Sequence, residues 1–143
     1  MSLDVHYNPD NIFAKIMRGD IPAAKIYEDE RILSFMDAFP QTKGHTLVIP
    51  KSPACNLFDI ESDDLQNLIL QTRRIAQAVR DGLQPDGIRI MQFNGEAAGQ
   101  TVFHIHFHII PFWNSDETRP HASGQMADMS ELNALAAQIK AKL

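Results

Sequence analysis

The run Gln100-Thr101-Val102-Phe103-His104-Ile105-His106-Phe107-His108-Ile109-Ile110-Pro111 carries a histidine at alternate positions and places three of the chain's six histidines together. Such alternation predicts a strand. Successive strand side chains point to opposite faces, so His104, His106 and His108 share one face and Ile105, Phe107 and Ile109 the other. The apolar face needs a core to cover it. The opposite face presents imidazoles about 6 to 7 Å apart, two residues of strand rise between neighbours.

Three imidazoles in a row invite two kinds of chemistry. One metal ion held by all three fails on distance: His104 and His108 start roughly 13 Å apart along an extended strand, whereas ligands to zinc converge at about 2 Å. Two neighbours can manage it only with help from elsewhere, such as His45 or Cys55. The alternative is phosphorus chemistry, in which one imidazole attacks, another assists the leaving group, and backbone N–H groups of a glycine-containing turn hold the phosphoryl oxygens. Gly99-Gln100-Thr101, just before the run, supplies such a turn. The plainest reading is three histidines on a solvated strand face, which is ordinary for a half-buried strand; three identical residues argue against it.

His-Ile-His-Phe-His-Ile-Ile fits the pattern His-φ-His-φ-His-φ-φ, with φ apolar. In order along the chain stand Asn11-Ile12-Phe13-Ala14-Lys15-Ile16, Gly19-Asp20-Ile21-Pro22, Phe35-Met36-Asp37, Gly44-His45-Thr46-Leu47-Val48-Ile49-Pro50-Lys51 and Asn94-Gly95. Together they resemble the histidine triad superfamily of nucleotidyl hydrolases and transferases, in its Hint-like branch, over residues 11 to 112.

The resemblance implies cleavage at the α-phosphorus of purine nucleoside phosphoramidates or dinucleoside polyphosphates, through a nucleotidyl-histidine. It implies His106 as nucleophile, oriented by a backbone carbonyl near His104. His108 then bonds phosphoryl or leaving-group oxygens, with His45 and His104 supporting the site. Asp37 receives the ribose hydroxyls, Phe13 and Ile21 lie near the base, and Asn94, Gly99, Gln100 and Thr101 surround the phosphate. It also implies a homodimer joined in a continuous sheet, and no cofactor. Bacterial relatives carry a structural zinc on a Cys-x-x-Cys pair, a later histidine and the first triad histidine. Here Asn11, Ala14 and Pro53 stand at three of those four places, so no metal is expected.

Two other functions use the same residues. One is a nucleotide-binding regulatory or scaffold module whose catalysis is incidental. The other is a metal-dependent enzyme with two triad histidines as ligands, for which the sequence shows no carboxylate at close spacing.

The remaining elements follow from local pattern. Asn11 can cap a short helix at 12–18 that Gly19 ends. Residues 24–28 and 31–36 read as a hairpin across Asp29-Glu30, and Asp37 at its end suits turn chemistry as well as a binding rim. Residues 44–50 make a third strand, stopped by Pro50. Ser62 to Leu83 is the longest helix, with Asp63 and Gln66 spaced as a capping box and a buried stripe of Leu65, Leu68, Ile69, Ile75, Ala76 and Val79. Residues 88–93 alternate as a fourth strand ending in the Asn94-Gly95 turn. A last helix over 128–143 opens with an Asp128–Glu131 box and buries Leu132, Leu135, Ala136, Ile139 and Leu143. The order predicts an α+β fold: an antiparallel sheet of about five strands with helices packed on one face.

One domain over 1–143 accommodates all of this, with a loose lead-in at 1–10 that includes His6 and a polar, mobile crossing at 114–126 that includes His121. Thirteen basic against eighteen acidic residues give a net charge of −5, which argues against a general nucleic-acid or anionic-membrane surface. The single cysteine, Cys55, can form no internal disulfide and has no thiolate-stabilising neighbour in sequence,. With no apolar run at the amino terminus, a cytoplasmic location is the expectation.

Overall fold

The computed structural model describes residues 3–115 and 125–143. Among the described residues, five strands, β1 (Lys25–Glu28), β2 (Ile32–Met36), β3 (Thr46–Pro50), β4 (Gly87–Met91) and β5 (Phe107–Phe112), three α-helices, α1 (Ile12–Met17), α2 (Ser62–Leu83) and α3 (Met129–Lys140), and a short 3-10 turn at Glu96–Ala98 account for the regular structure. The strands form one antiparallel sheet in the order β1-β2-β3-β5-β4. This is the α+β architecture the sequence implied. Its hairpin forms because Asp29 Oδ1 accepts from the N–H groups of both Arg31 and Ile32, at 2.8 Å each.

Strand alternation divides the core in two. Ile32, Met36, Val48 and Ile109 face α2 and α3 and pack with Leu68, Ile75, Val79, Leu132, Leu135 and Ile139. Leu33, Phe35, Leu47 and Ile49 face the other way, against Phe13 and Ile16 of α1. The two long helices therefore share one face, as expected, while the short α1 covers part of the other. Each fully buried aliphatic side chain contributes roughly 1.5–3 kcal/mol of transfer free energy.

Several local expectations change. α2 has the expected bounds, but its capping box does not form, because the N-cap is Glu61, two residues before Asp63, which leaves Asp63 and Asp64 inside the first turn. There their charges suit the helix dipole, and Arg31 reaches them at 2.9 and 3.2 Å. Asp128 is the N-cap of α3 but makes no capping bond to the backbone, since its carboxylate takes the Ser130 hydroxyl instead. Ile69 is 43% exposed and Leu143 40% exposed: Ile69 is turned one residue off the buried Leu68 row, and α3 ends before Leu143. The crossing expected at 114–126, with His121, lies largely outside the described residues.

Gly82 shows how closely α2 and α3 approach. A Cβ there would sit 2.7 Å from the backbone oxygen of Gln138, which cannot swing aside as a side chain would. Gly82→Ala is therefore expected to destabilise by about 1–3 kcal/mol through overpacking, although alanine is the better helix former by about 1 kcal/mol. Urea unfolding midpoints measure this, and an unchanged or raised midpoint would contradict the seating of α3. Among the described residues no helix is long and apolar enough to cross a membrane.

Candidate active site

Sheet pairing brings the histidines together. Leu47 of β3 lies opposite His108 of β5, and His45, two residues before Leu47 on the same face, reaches His108 diagonally. Met36 pairs with Thr46, so Asp37 comes beside His45 and its N–H donates to the His45 carbonyl at 2.9 Å. The alternating run is not one strand, however: β5 begins only at Phe107. Before it the chain leaves the ladder and follows the segment after β3, where the Ile105 N–H meets the Ala54 carbonyl at 2.8 Å.

The division of faces survives this irregularity. Ile105 and Ile109 are buried against α2 and α3, and the imidazoles lie on the other side of the sheet. They are not solvated there. His45, His104, His106 and His108 are 1%, 0%, 6% and 2% exposed.

Burial makes each ring's partners decisive, and the partners fix the neutral tautomers. The Gln41 N–H donates to His45 Nδ1 at 2.9 Å, so the proton of His45 sits on Nε2. That N–H points at His108 Nδ1, 2.9 Å away, with Asp37 Oδ2 at 3.4 Å. His108 must then carry its own proton on Nε2. His106 Nδ1 lies 2.7 Å from the His104 carbonyl, an acceptor only, so Nδ1 is the protonated nitrogen and Nε2 holds the lone pair. A nitrogen with a lone pair and a ring N–H donor thus stand on adjacent rings with centroids 4.8 Å apart. Phe13 packs perpendicular to His106 at 4.8 Å.

A cavity of about 440 Å³ opens onto this pair, within the usual range for small-molecule sites. Phe13, Ile21, Phe35 and Leu47 give it an apolar wall, and Asp37, Thr101, His106 and His108 line it as well. A larger hollow of about 870 Å³ lies between residues 40–44 and α3 and meets His45, but His106 and His108 line the smaller one. Asp37 Oδ1 accepts from the Phe39 N–H at 2.8 Å, so the turn role expected of it is real. Burial pushes its carboxyl up to about 6, against the opposing pull of the Phe39 N–H.

Of the expected site residues, Phe13, Ile21, Asp37, Thr101, His106 and His108 line this cavity, and His45 and His104 stand behind it. Asn94, Gly99 and Gln100 do not join them. Asn94 Oδ1 takes the Leu57 N–H at 2.9 Å and the Gln92 amide at 2.8 Å. The buried Gln100 amide ties Gly95, Cys55 and Val102 together through their backbone groups. The N–H groups of Gly99 and Gln100 are spent inside the turn, on the carbonyls of Glu96 and Gly95. These bonds hold the shape of the loop.

Sequence reasoning missed Tyr7, whose hydroxyl lies 2.6 Å from His104 Nδ1. The described part of the lead-in, from residue 3, has no helix or strand, yet it is fastened: the Cys55 thiol lies 3.6 Å from the Val5 carbonyl, and Arg18 donates to the Pro9 carbonyl at 2.6 Å. A tyrosine in a polar stretch without periodicity gives no signal in sequence. His6 is exposed, and Cys55 is buried with its thiol pushed up by that burial, as an inert cysteine should be.

The structure also supplies a carboxylate that sequence spacing hid. Ligand atoms of Asp37, His45 and His108 lie within 4.8 Å of one another. A cation there would need a lone pair on His45 Nε2, which forces the proton onto Nδ1 and against the Gln41 N–H. Metal-bound imidazoles normally offer their second nitrogen to an acceptor, so the cluster suits a chain of hydrogen bonds better than an ion. The structural zinc site fits no better. Asn11 Oδ1 caps α1 by accepting from the Ala14 N–H at 3.0 Å, Ala14 and Pro53 offer no ligand atom, and both nitrogens of His104 are engaged, by Tyr7 and by the Pro50 carbonyl at 2.7 Å.

The HIT domain family model matches residues 18–114. The chain belongs to the HIT domain family. The "Protein hit" of Bacillus subtilis is 47% identical over 107 residues, covering 75% of this chain and 74% of that protein. A solved Hit-like protein from Bartonella henselae, described as involved in cell-cycle regulation and holding an unknown ligand, superposes with a TM-score of 0.89 at 43% identity, covering 96% and 100% of the two chains. A HIT family hydrolase from Clostridium thermocellum gives 0.67 at 31% identity, covering 77% of this chain and 96% of its own. The HIT match spans β1 to β5 and leaves α1 and α3 outside, so the family pattern covers the imidazoles, while the helix carrying Phe13 is contributed from beyond it.

Proposed function

We propose that this HIT protein is a hydrolase or transferase that cleaves at the α-phosphorus of purine nucleoside phosphoramidates or dinucleoside polyphosphates, through a nucleotidyl-histidine on His106. The observation that carries this reading is the pair of tautomers set by buried backbone partners, the His104 carbonyl and the Gln41 N–H. An imidazole attacks only from an unprotonated nitrogen, and a free imidazole is mostly neutral above about pH 6.5. In the first half-reaction His106 Nε2 bonds to phosphorus as the P–N or P–O bond to the leaving group breaks. The leaving group departs with a proton from the medium, and the His108 Nε2–H steadies the charge that develops. In the second half, water attacks phosphorus, releases a proton to the medium and frees Nε2. The HIT family hydrolase among the solved relatives supports the class of reaction.

A nucleoside phosphoramidate bearing a fluorescent amine tests the proposal. Rapid quenching should trap a nucleotidyl adduct that peptide mass spectrometry finds on His106; release without an adduct there, or no release at all, would remove the reading.

The apolar wall receives the base, and Asp37 at the rim receives the ribose hydroxyls. A carboxylate accepts two hydroxyl bonds only when ionised. With its carboxyl raised to about 6, Asp37 should hold the ribose well at pH 7.5 and lose it as the pH falls through 6. Adenosine, which has no phosphate to titrate, should bind roughly three- to tenfold more weakly at pH 5, one hydrogen bond's worth. Calorimetry on Asp37→Asn should give a flat profile over the same range, and a wild-type profile equally flat would release Asp37 from this role.

The same reading carries a homodimer. β4 is an edge strand with Ile90 44% exposed, and Phe58, next to the Leu57 that bonds Asn94 just beyond β4, is 70% exposed. Pairing along β4 would continue the sheet and cover such an edge. Light scattering should report twice the monomer mass at micromolar concentration, and a monomer there would refute the dimer.

A further inference from the structure

We infer that Tyr7 is a positioning residue for the nucleophile, holding the His104 ring and with it the peptide carbonyl that orients His106. The inference rests on the proposed role of His106 and concerns a residue that lies before the matched family region, in a segment with no regular structure.

The geometry has four links. Tyr7 Oη stands 2.6 Å from His104 Nδ1, with the two rings edge to face at 5.5 Å. His104 Nε2 stands 2.7 Å from the Pro50 carbonyl at the end of β3. The carbonyl of His104 itself stands 2.7 Å from His106 Nδ1. Phe13 fills the space between the rings, 6.5 Å from His104 and 4.8 Å from His106.

The donors and acceptors allow one assignment. A proline carbonyl only accepts, so His104 Nε2 carries the proton and Nδ1 is an acceptor. Tyr7 must then donate, and burial keeps its phenol protonated by pushing its pKa up. Burial also lowers the pKa of His104, which keeps that ring neutral. His104 is 0% exposed, so water cannot readily replace the phenol. Without it Nδ1 would be a buried acceptor lacking a bond, a state a ring relieves by turning or by changing tautomer. Either motion drags on the main chain at residue 104. His106 would lose the acceptor that keeps its proton on Nδ1, and the proton could settle on Nε2, where the lone pair is needed.

The binding walls should feel little of this. Ile21, Asp37 and Leu47 come from the segment after α1, the end of β2 and β3, none of which touches the Tyr7 hydroxyl. A tyrosine that only packed would leave both tautomers unchanged when its hydroxyl is removed.

The full-length chain and its Tyr7→Phe variant decide the matter, read by phosphoramidate turnover and by long-range proton–nitrogen spectra of the ring nitrogens. Wild type should show His104 protonated on Nε2 and His106 on Nδ1. In Tyr7→Phe, kcat should fall about tenfold, as misorientation of a reacting group does, with KM within about twofold and a smaller share of His106 protonated on Nδ1. A variant with wild-type kcat, or one whose loss lies in KM, would overturn the inference. So would a wild-type His104 protonated on Nδ1, a reading that stands even where the variant does not fold. A wild type without turnover but with the expected tautomers would count against the proposed function and leave the positioning by Tyr7 supported.

Discussion

His106→Asn is expected to lower phosphoramidate turnover by at least about 10³-fold, because it removes the covalent route rather than weakening it. Asparagine is close to imidazole in size, and its amide can still donate to the His104 carbonyl, so the neighbouring backbone has no reason to move. What it lacks is a nitrogen with a lone pair to offer phosphorus. The cavity walls of Phe13, Ile21 and Leu47 are untouched, and AMP should bind within about threefold of wild type, less than the worth of one hydrogen bond. Parallel measurement of turnover and AMP affinity checks both halves. Wild-type turnover in the variant would mean that another group attacks phosphorus.

His108→Ala should cost about 10²-fold in kcat, the usual effect of deleting one donor aimed at developing charge in a water-poor site. The mechanism predicts where that loss appears. A donor serving the leaving group matters most when that group is poor, so alkylamine phosphoramidates should suffer more than an activated nitrophenyl ester. Equal losses across a leaving-group series would place the His108 bond on the non-bridging phosphoryl oxygens instead. The deletion also leaves the His45 Nε2–H facing a gap where it met His108 Nδ1 at 2.9 Å, so part of the loss arises through His45. His45→Ala, made alone and in combination, separates the two: if the residues act as one unit, the double variant should be little worse than the His108 change by itself.

Much of the framework was legible in the chain because it rests on periodicity. The hairpin, the strand before Pro50, the long helix and the alternating faces of the triad run all follow from which positions are apolar. What periodicity cannot show is a bond to the main chain. The partners that set the tautomers are the N–H of Gln41 and the carbonyls of Pro50 and His104, and any residue type supplies those. The same blindness hides what Asn94 and Gln100 bond to. Both are amides beside a glycine turn, a pattern that serves a phosphate and a buried loop equally well, and here the loop claims them. The triad run misled in a further way. Alternation predicts which face a side chain takes, and that held for Ile105 and Ile109; it does not say whether the backbone keeps its ladder, which it leaves before Phe107. Asp37 met His45 through strand pairing, across a gap in sequence that spacing could not close.

The sheet separates the two layers of this molecule. The packing that holds α2 and α3 lies behind it, and the imidazoles lie in front, with Ile109 and His108 as neighbours in sequence that belong to opposite sides. The layers meet at α3, where Leu132 packs in the rear core and, with Met129, also lines the cavity; away from that contact, substitutions on the two sides should add in their effects on stability. A lineage built on this plan can redraw its substrate wall, residue by residue, while the rear layer goes on holding the fold, and can absorb drift in that rear layer, except at the α3 positions that reach the cavity, without disturbing the imidazoles in front.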